Sequence, residues 1–284
     1  MVKRSGWGSV LFTALALITG CANLTGSERS AQTSARMLAA GWQEQTIKAG
    51  VFELRAFSNQ RPAMDSELTV YIEGDGQAWI DGQFPADDPT PITPVALELA
   101  LQQPAGAVAY LGRPCQYLGA GTNPACTKQI WTDARFSEAV IVATNAALSQ
   151  LKGQTKAKRL QLVGFSGGAA VALLIAARRD DVSRIITVAG NLGPHAWAKQ
   201  LRLQPLAGSL DTVSVVAATQ NIPQIDFVGG KDKVVPPEIT EAFVKRYPVA
   251  HRPTIVTVPE NGHVCCWAQQ WPILWGQVTY DAHK

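Results

Sequence analysis

Gly164-Phe165-Ser166-Gly167-Gly168 decides how this chain is read. The pentapeptide follows an apolar, strand-like run, Leu160-Gln161-Leu162-Val163. It opens onto small and aliphatic residues from Ala169 to Ala176. Gly-x-Ser-x-Gly between a strand and a helix describes a nucleophile elbow. The turn is sharp and its backbone strained, so the residues beside the serine must be small. Ser166 is expected above a sheet with its hydroxyl exposed, and the amide of Gly167 beside the same reacting carbonyl.

A serine hydroxyl is a weak nucleophile at neutral pH. It needs a base, and the base needs an orienting acid. The chain has four histidines, His195, His251, His263 and His283. His263 falls in a turn, residues 260–264, between a strand-like run (254–258) and a final helix expected over 267–278. That placement selects it as the base. His251 precedes Arg252-Pro253 in a solvated turn, His195 opens a helix after Gly193-Pro194, and His283 is at the end of the chain. Asp232 is the expected acid. It lies in a loop, residues 229–237, at the carboxyl end of a buried strand (222–228), where functional groups of open parallel sheets collect. Asp226 is the rival, inside that strand, and Asp211 lies in a turn.

The order Ser166, Asp232, His263 is that of the α/β-hydrolases. From about Val51 onward the chain resembles an α/β-hydrolase of the esterase or lipase kind, similar to secreted bacterial lipoprotein hydrolases. The resemblance implies an acyl-enzyme on Ser166, cleavage of a carboxylic ester, and no cofactor or metal. It also implies a second oxyanion donor after an early strand, read here at 68–72. The following loop, Glu73-Gly74-Asp75-Gly76, offers the amide of Asp75 or of Gly76 beside that of Gly167. The family usually has His-Gly where this chain has Glu73-Gly74. An unpaired carboxylate there would oppose a developing oxyanion. Asp75 or Glu73 is therefore expected to be paired, with Arg113, at the end of the next strand (107–111), as partner.

The N-terminus carries Lys3 and Arg4, a short apolar stretch, then Ile18-Thr19-Gly20-Cys21. This is the layout of a signal peptide, too short for a spanning helix. It resembles a bacterial lipobox, which implies lipid attachment at Cys21. Ala22 after it points to the outer membrane if the host is Gram-negative. Cys115, Cys126, Cys265 and Cys266 remain, and an even number in an exported chain suggests disulfides. Cys115 with Cys126 would close a short loop. That leaves the vicinal Cys265 and Cys266, whose bridge would stiffen the histidine loop; crossed pairs are the alternative. No zinc-like spacing of Cys and His occurs.

With 284 residues, 46% hydrophobic and 17% charged, the chain can build one large core. The net charge of +3 is too small for a nucleic-acid footprint. The basic stretch 152–159 reads as a solvated turn. Strands alternating with helices argue a mostly parallel, doubly wound sheet. The expected organisation is a signal peptide over 1–20, a lipid-attachment site and tether over 21–50, and an α/β-hydrolase domain over 51–284. Two irregular segments, 81–94 and 190–213, are expected to act as lid-like insertions. Trp79, Trp131, Trp197 and Trp267 are candidates to line an apolar pocket. Rival readings are a peptidase or thioesterase of the same fold, and a non-catalytic envelope lipoprotein on a hydrolase scaffold.

Overall fold

The computed structural model describes residues 24–63 and 66–280. Cys21 and the expected signal peptide lie outside them. Alternation of inward residues builds a central sheet of eight strands. They are β1 (Gln43–Ala49), β2 (Phe52–Ser58), β3 (Glu67–Ile72), β6 (Ala107–Leu111), β7 (Arg159–Phe165), β8 (Val182–Val188), β9 (Gln224–Gly229) and β10 (Thr254–Val258). A separate hairpin holds β4 (Trp79–Ile80) and β5 (Phe84–Pro85). The spatial order is β1-β2-β6-β3-β7-β8-β9-β10. The first two pairings are antiparallel. Every later pairing is parallel.

Parallel strands need crossovers, and helices supply them on both faces. In β3, Leu68, Val70 and Ile72 face one core while Tyr71 faces the other. The first core receives α3 (Glu138–Thr155) and α4 (Gly167–Ala176). The second receives α2 (Val95–Gln102) and α8 (Trp267–Tyr280). All ten residues of α4 are buried. Small side chains along it let the helix lie close to the sheet, which sets the height of the serine at its start.

Residues 26–49 are more regular than the expected tether merging into a first turn or short helix. They form α1 (Gly26–Ala39) and the edge strand β1. Thr25 and Glu28 make a reciprocal capping box at the start of α1. Arg29 then fastens the helix to the body. Its Nε–H donates to Thr90 O at 3.0 Å, with further bonds to the carbonyls of Leu24 and Asp88. The remaining helices are short: α5 (Pro194–Gln200), α6 (Val216–Thr219) and α7 (Pro237–Val244). Among the described residues no helix is long and apolar enough to cross a membrane.

Candidate active site

Ser166 stands between β7 and α4 with φ +50° and ψ −120°. Few non-glycine residues adopt such a backbone, and here the surroundings dictate it. A Cβ at 164 would overlap Ala169 and Gly168, and one at 168 would overlap the carbonyl of Ile72. Glycine is therefore required on both sides of the turn. The carbonyl of Ser166 accepts from the amide of Asn191 at 2.9 Å, and its own amide donates to Val188 O at 3.1 Å. The elbow is thus tied to the end of β8.

The three side chains selected from the sequence meet at the carboxyl ends of the strands. Ser166 Oγ lies 2.9 Å from His263 Nε2. His263 Nδ1 lies 2.8 Å from Asp232 Oδ2. An acceptor carboxylate facing Nδ1 assigns the proton to that nitrogen, which leaves Nε2 free to accept from the serine. Asp232 is buried and held by its other oxygen, which accepts from the amides of Val234 and Val235, each at 2.8 Å. Two amides of its own loop therefore hold Asp232 while its free oxygen meets the histidine. The histidine loop has its own support. Trp267 is fully buried and its indole N–H reaches the carbonyls of Gly262 and His263.

The rivals sit elsewhere. Asp226 is fully buried within β9, where its carboxylate accepts from Thr187 Oγ1–H and from Gln224. Burial raises it to about 6. Asp211 accepts from the amide of Val213 in a turn. His251 is exposed, and His195 faces the carbonyl of Ser209.

The loop after β3 passes directly over the elbow. A Cβ on Gly74 would stand 3.3 Å from Ser166 Cβ. The amides of Asp75 and Gly76 donate to no acceptor among the described residues. Gly167, first residue of α4, lies in the turn whose N–H groups lack helical partners. These amides are the donors the sequence selected, and they border the serine along the chain and across the loop.

The acidic residues of the loop are both engaged. Asp75 Oδ2 accepts from Arg135 Nη1 at 2.6 Å, and Asp75 Oδ1 accepts from Arg113 Nη1 at 3.3 Å. Arg113 was the expected partner; Arg135, from the turn before α3, was not anticipated. Glu73 is fully buried without an arginine bond. Its carboxylate accepts from the amide of Gly74 at 2.8 Å and from Tyr110 Oη–H at 3.1 Å. Burial outweighs these donors and raises its pKa to about 7. Gln116 adds a fourth restraint, donating to Gly74 O at 3.0 Å. Asn191 and Gln116 also escaped the sequence reading, since a lone amide side chain in a loop carries no pattern.

Cys115 is bonded to Cys126, and Cys265 to Cys266. The peptide between the vicinal pair is cis. Of the four tryptophans singled out, Trp79 and Trp197 line the cleft of about 370 Å³ that holds Ser166 and His263. Trp131 instead packs inward and donates to Ala86 O. Both irregular segments contribute walls, through Pro91, Ile92 and Thr93 on one side and Asn191 and Trp197 on the other. Among the described residues no cluster of His, Cys, Asp and Glu is arranged to hold a metal ion.

No protein-family model and no curated protein sequence matches the chain. Solved structures do. Est1E from Butyrivibrio proteoclasticus is 14% identical with a TM-score of 0.58, over 84% of this chain and 98% of that one. An α/β serine hydrolase homologue from Coxiella burnetii is 17% identical with a TM-score of 0.56, over 84% and 96%. XC6422 from Xanthomonas campestris, an α/β serine hydrolase described as lacking a lid, is 16% identical with a TM-score of 0.54, over 84% and 92%. The fold of this chain is that of the α/β serine hydrolases.

Proposed function

We propose that the protein is a serine hydrolase that cleaves carboxylic esters through an acyl-enzyme on Ser166. The observation that carries this reading is the unbroken relay from Ser166 through His263 to Asp232, with both contacts under 3 Å. Ser166 Oγ attacks the acyl carbonyl as His263 Nε2 takes its proton. Asp232 holds the imidazole in that tautomer and stabilises the imidazolium. The amides of Gly167 and Asp75 hold the oxyanion; one such donor contributes about 2.7–4 kcal/mol to the transition state. His263 then protonates the leaving alcohol, and water repeats the sequence on the acyl-enzyme.

Neighbours of this fold from Rhodothermus marinus and Pyrococcus furiosus are named as esterases. That favours an ester over the peptide and thioester substrates the same triad could attack. We also infer that Cys21 carries a lipid and holds the protein in the cell envelope. The lipobox-like Ile18-Thr19-Gly20-Cys21 supports this.

The test is labelling with a fluorophosphonate. The wild type is expected to be modified at Ser166, and Ser166→Ala to lose the label. Hydrolysis of p-nitrophenyl esters, run beside peptide and thioester substrates, then fixes the bond cleaved. An unlabelled wild type would leave the non-catalytic lipoprotein reading.

A further inference from the structure

Beside the catalytic cleft lies a larger groove of about 900 Å³. Its far wall is α1, its near wall the β4–β5 hairpin, and its end the start of α2. Cleft and groove share Gln77, Trp79, Pro91, Ile92 and Thr93, so they adjoin along these residues. The cleft alone is near the lower limit for a small-molecule site, and the groove extends it to a size that holds an elongated ligand.

The groove's lining mixes polar side chains with open hydrocarbon. Leu24, Trp79, Ile80 and Ile92 supply the hydrocarbon surface. Ile80 and Ile92 are 44% and 67% exposed, an unfavourable state for branched aliphatic residues beside a concavity. The positive charges present are already committed, and Asp81 adds a negative one. Arg29 is hydrogen-bonded to three backbone carbonyls, and Arg36 is paired with Glu98. An anionic ligand would have to break these contacts. The walls are also fixed. Ser30 Oγ–H donates to Tyr117 O at 2.6 Å, and Met37 is fully buried, so α1 is seated firmly.

We propose that this groove is a substrate subsite that receives the long apolar arm of an ester whose carbonyl sits at Ser166. The proposal rests on the ester-hydrolase reading above and names its substrate class: aliphatic esters with an extended chain on one side of the scissile bond. Methylenes laid along Ile80 and Ile92 leave water, and that burial favours long substrates over short ones.

Two ester series test it, both kept below micelle formation. One varies the acyl chain from acetyl to decanoyl on p-nitrophenol. The other varies the alcohol of acetate esters from ethyl to decyl. Ile80→Asp places a charge in the groove, and Gln32→Trp narrows it from the exposed face of α1. Ile80→Leu is the conservative comparison, and thermal unfolding checks each variant. In the wild type kcat/KM is expected to rise with length in one series. Ile80→Asp and Gln32→Trp should each lower the long-to-short ratio in that series about tenfold, and Ile80→Leu should retain it. A ratio within about twofold of wild type in both series, for both disruptive variants, overturns the groove while the hydrolase reading stands. A wild type that hydrolyses no ester of either series overturns the ester reading, and the groove's role with it.

Discussion

Asp75 sets the strongest constraint at the scale of single residues. A carboxylate beside an oxyanion site opposes the charge that must form there. Two features change that outcome. The group is bracketed by Arg113 and Arg135, and it packs so closely on Gly167 that a Cβ there would overlap it. Burial pushes the Arg113 guanidinium down, while Asp75 pulls it back up. The pairing thus serves both partners and fixes the loop that passes over Ser166. Asp75→Asn keeps the shape and removes the charge. It is expected to lower kcat about a hundredfold, the scale of one misplaced oxyanion donor, with a smaller change in KM. Steady-state kinetics beside thermal unfolding check this, because a fall in stability with unchanged kcat would make the clamp purely structural. Glu73 gives a second prediction. Its carboxyl is raised from 4.5 to about 7 by burial, so the folded protein holds a proton that the unfolded chain has lost. That stability is fully present below pH 4.5 and is lost as pH rises through about 7. The loss is on the order of 3 kcal/mol. Asp226, raised to about 6, acts with the same sign, so the useful measurement is the difference between proteins. Urea unfolding across this range should show a shallower pH slope for Glu73→Gln than for the wild type. Equal slopes would place the titration elsewhere.

At the scale of elements, the turn after β6 carries much of the site's rigidity. It presents Arg113 to Asp75 and Gln116 to Gly74, and Cys115 between them is bonded to Cys126. Closing this short loop restricts the unfolded chain and stabilises the fold by about 3 kcal/mol in the chain-entropy picture. Replacing both cysteines by serine is expected to lower the denaturation free energy by about that amount and to lower kcat as the turn loosens. Chemical denaturation and kinetics on the same sample test both halves; a stable variant with full kcat would sink the idea. The elements also show what a sequence reveals. Strands β3, β6, β7 and β10 were legible because each is a short β-branched or aliphatic run, and the elbow because only glycine fits around Ser166. The helix α1 was legible only as a first turn or short helix at the end of a tether. Its buried residues are only Arg29, Thr33 and Met37, so no apolar stripe marks it, and its docking depends on arginine bonds to carbonyls 59 and 61 residues away. Arg135 was hidden for the same reason, since its contact with Asp75 spans 60 positions. Trp267 was legible as a packing or pocket tryptophan, and it takes the packing role: it is buried and braces the histidine loop.

Across the whole molecule, strand order converts three distant positions into one site. Ser166 follows β7, Asp232 follows β9 and His263 follows β10, and parallel pairing brings these carboxyl ends to one edge. The sequence showed that alternation but not where the N-terminal antiparallel strands would sit, because their partners lie far along the chain, as β2 with β6. The same arrangement bears on the proposed lipid anchor. Leu24 lines the groove that adjoins the catalytic cleft. Cys21 is three residues earlier and lies outside the described residues, and three residues reach at most about 10 Å. An acylated Cys21 would therefore hold the mouth of the groove close to the bilayer surface. Ile80, Phe84 and Ile92 are exposed on or beside that mouth, where an aliphatic ester leaving the membrane would first meet protein. Cys21→Ser is expected to move the protein from the membrane fraction to the soluble one. It should also slow hydrolysis of a long-chain ester embedded in vesicles far more than hydrolysis of a dissolved acetate ester. Fractionation and the two assays on one preparation separate the cases. A variant that stays with the membrane removes the anchor. One that leaves it yet treats both esters alike keeps the anchor and removes its role in presenting the groove to lipid.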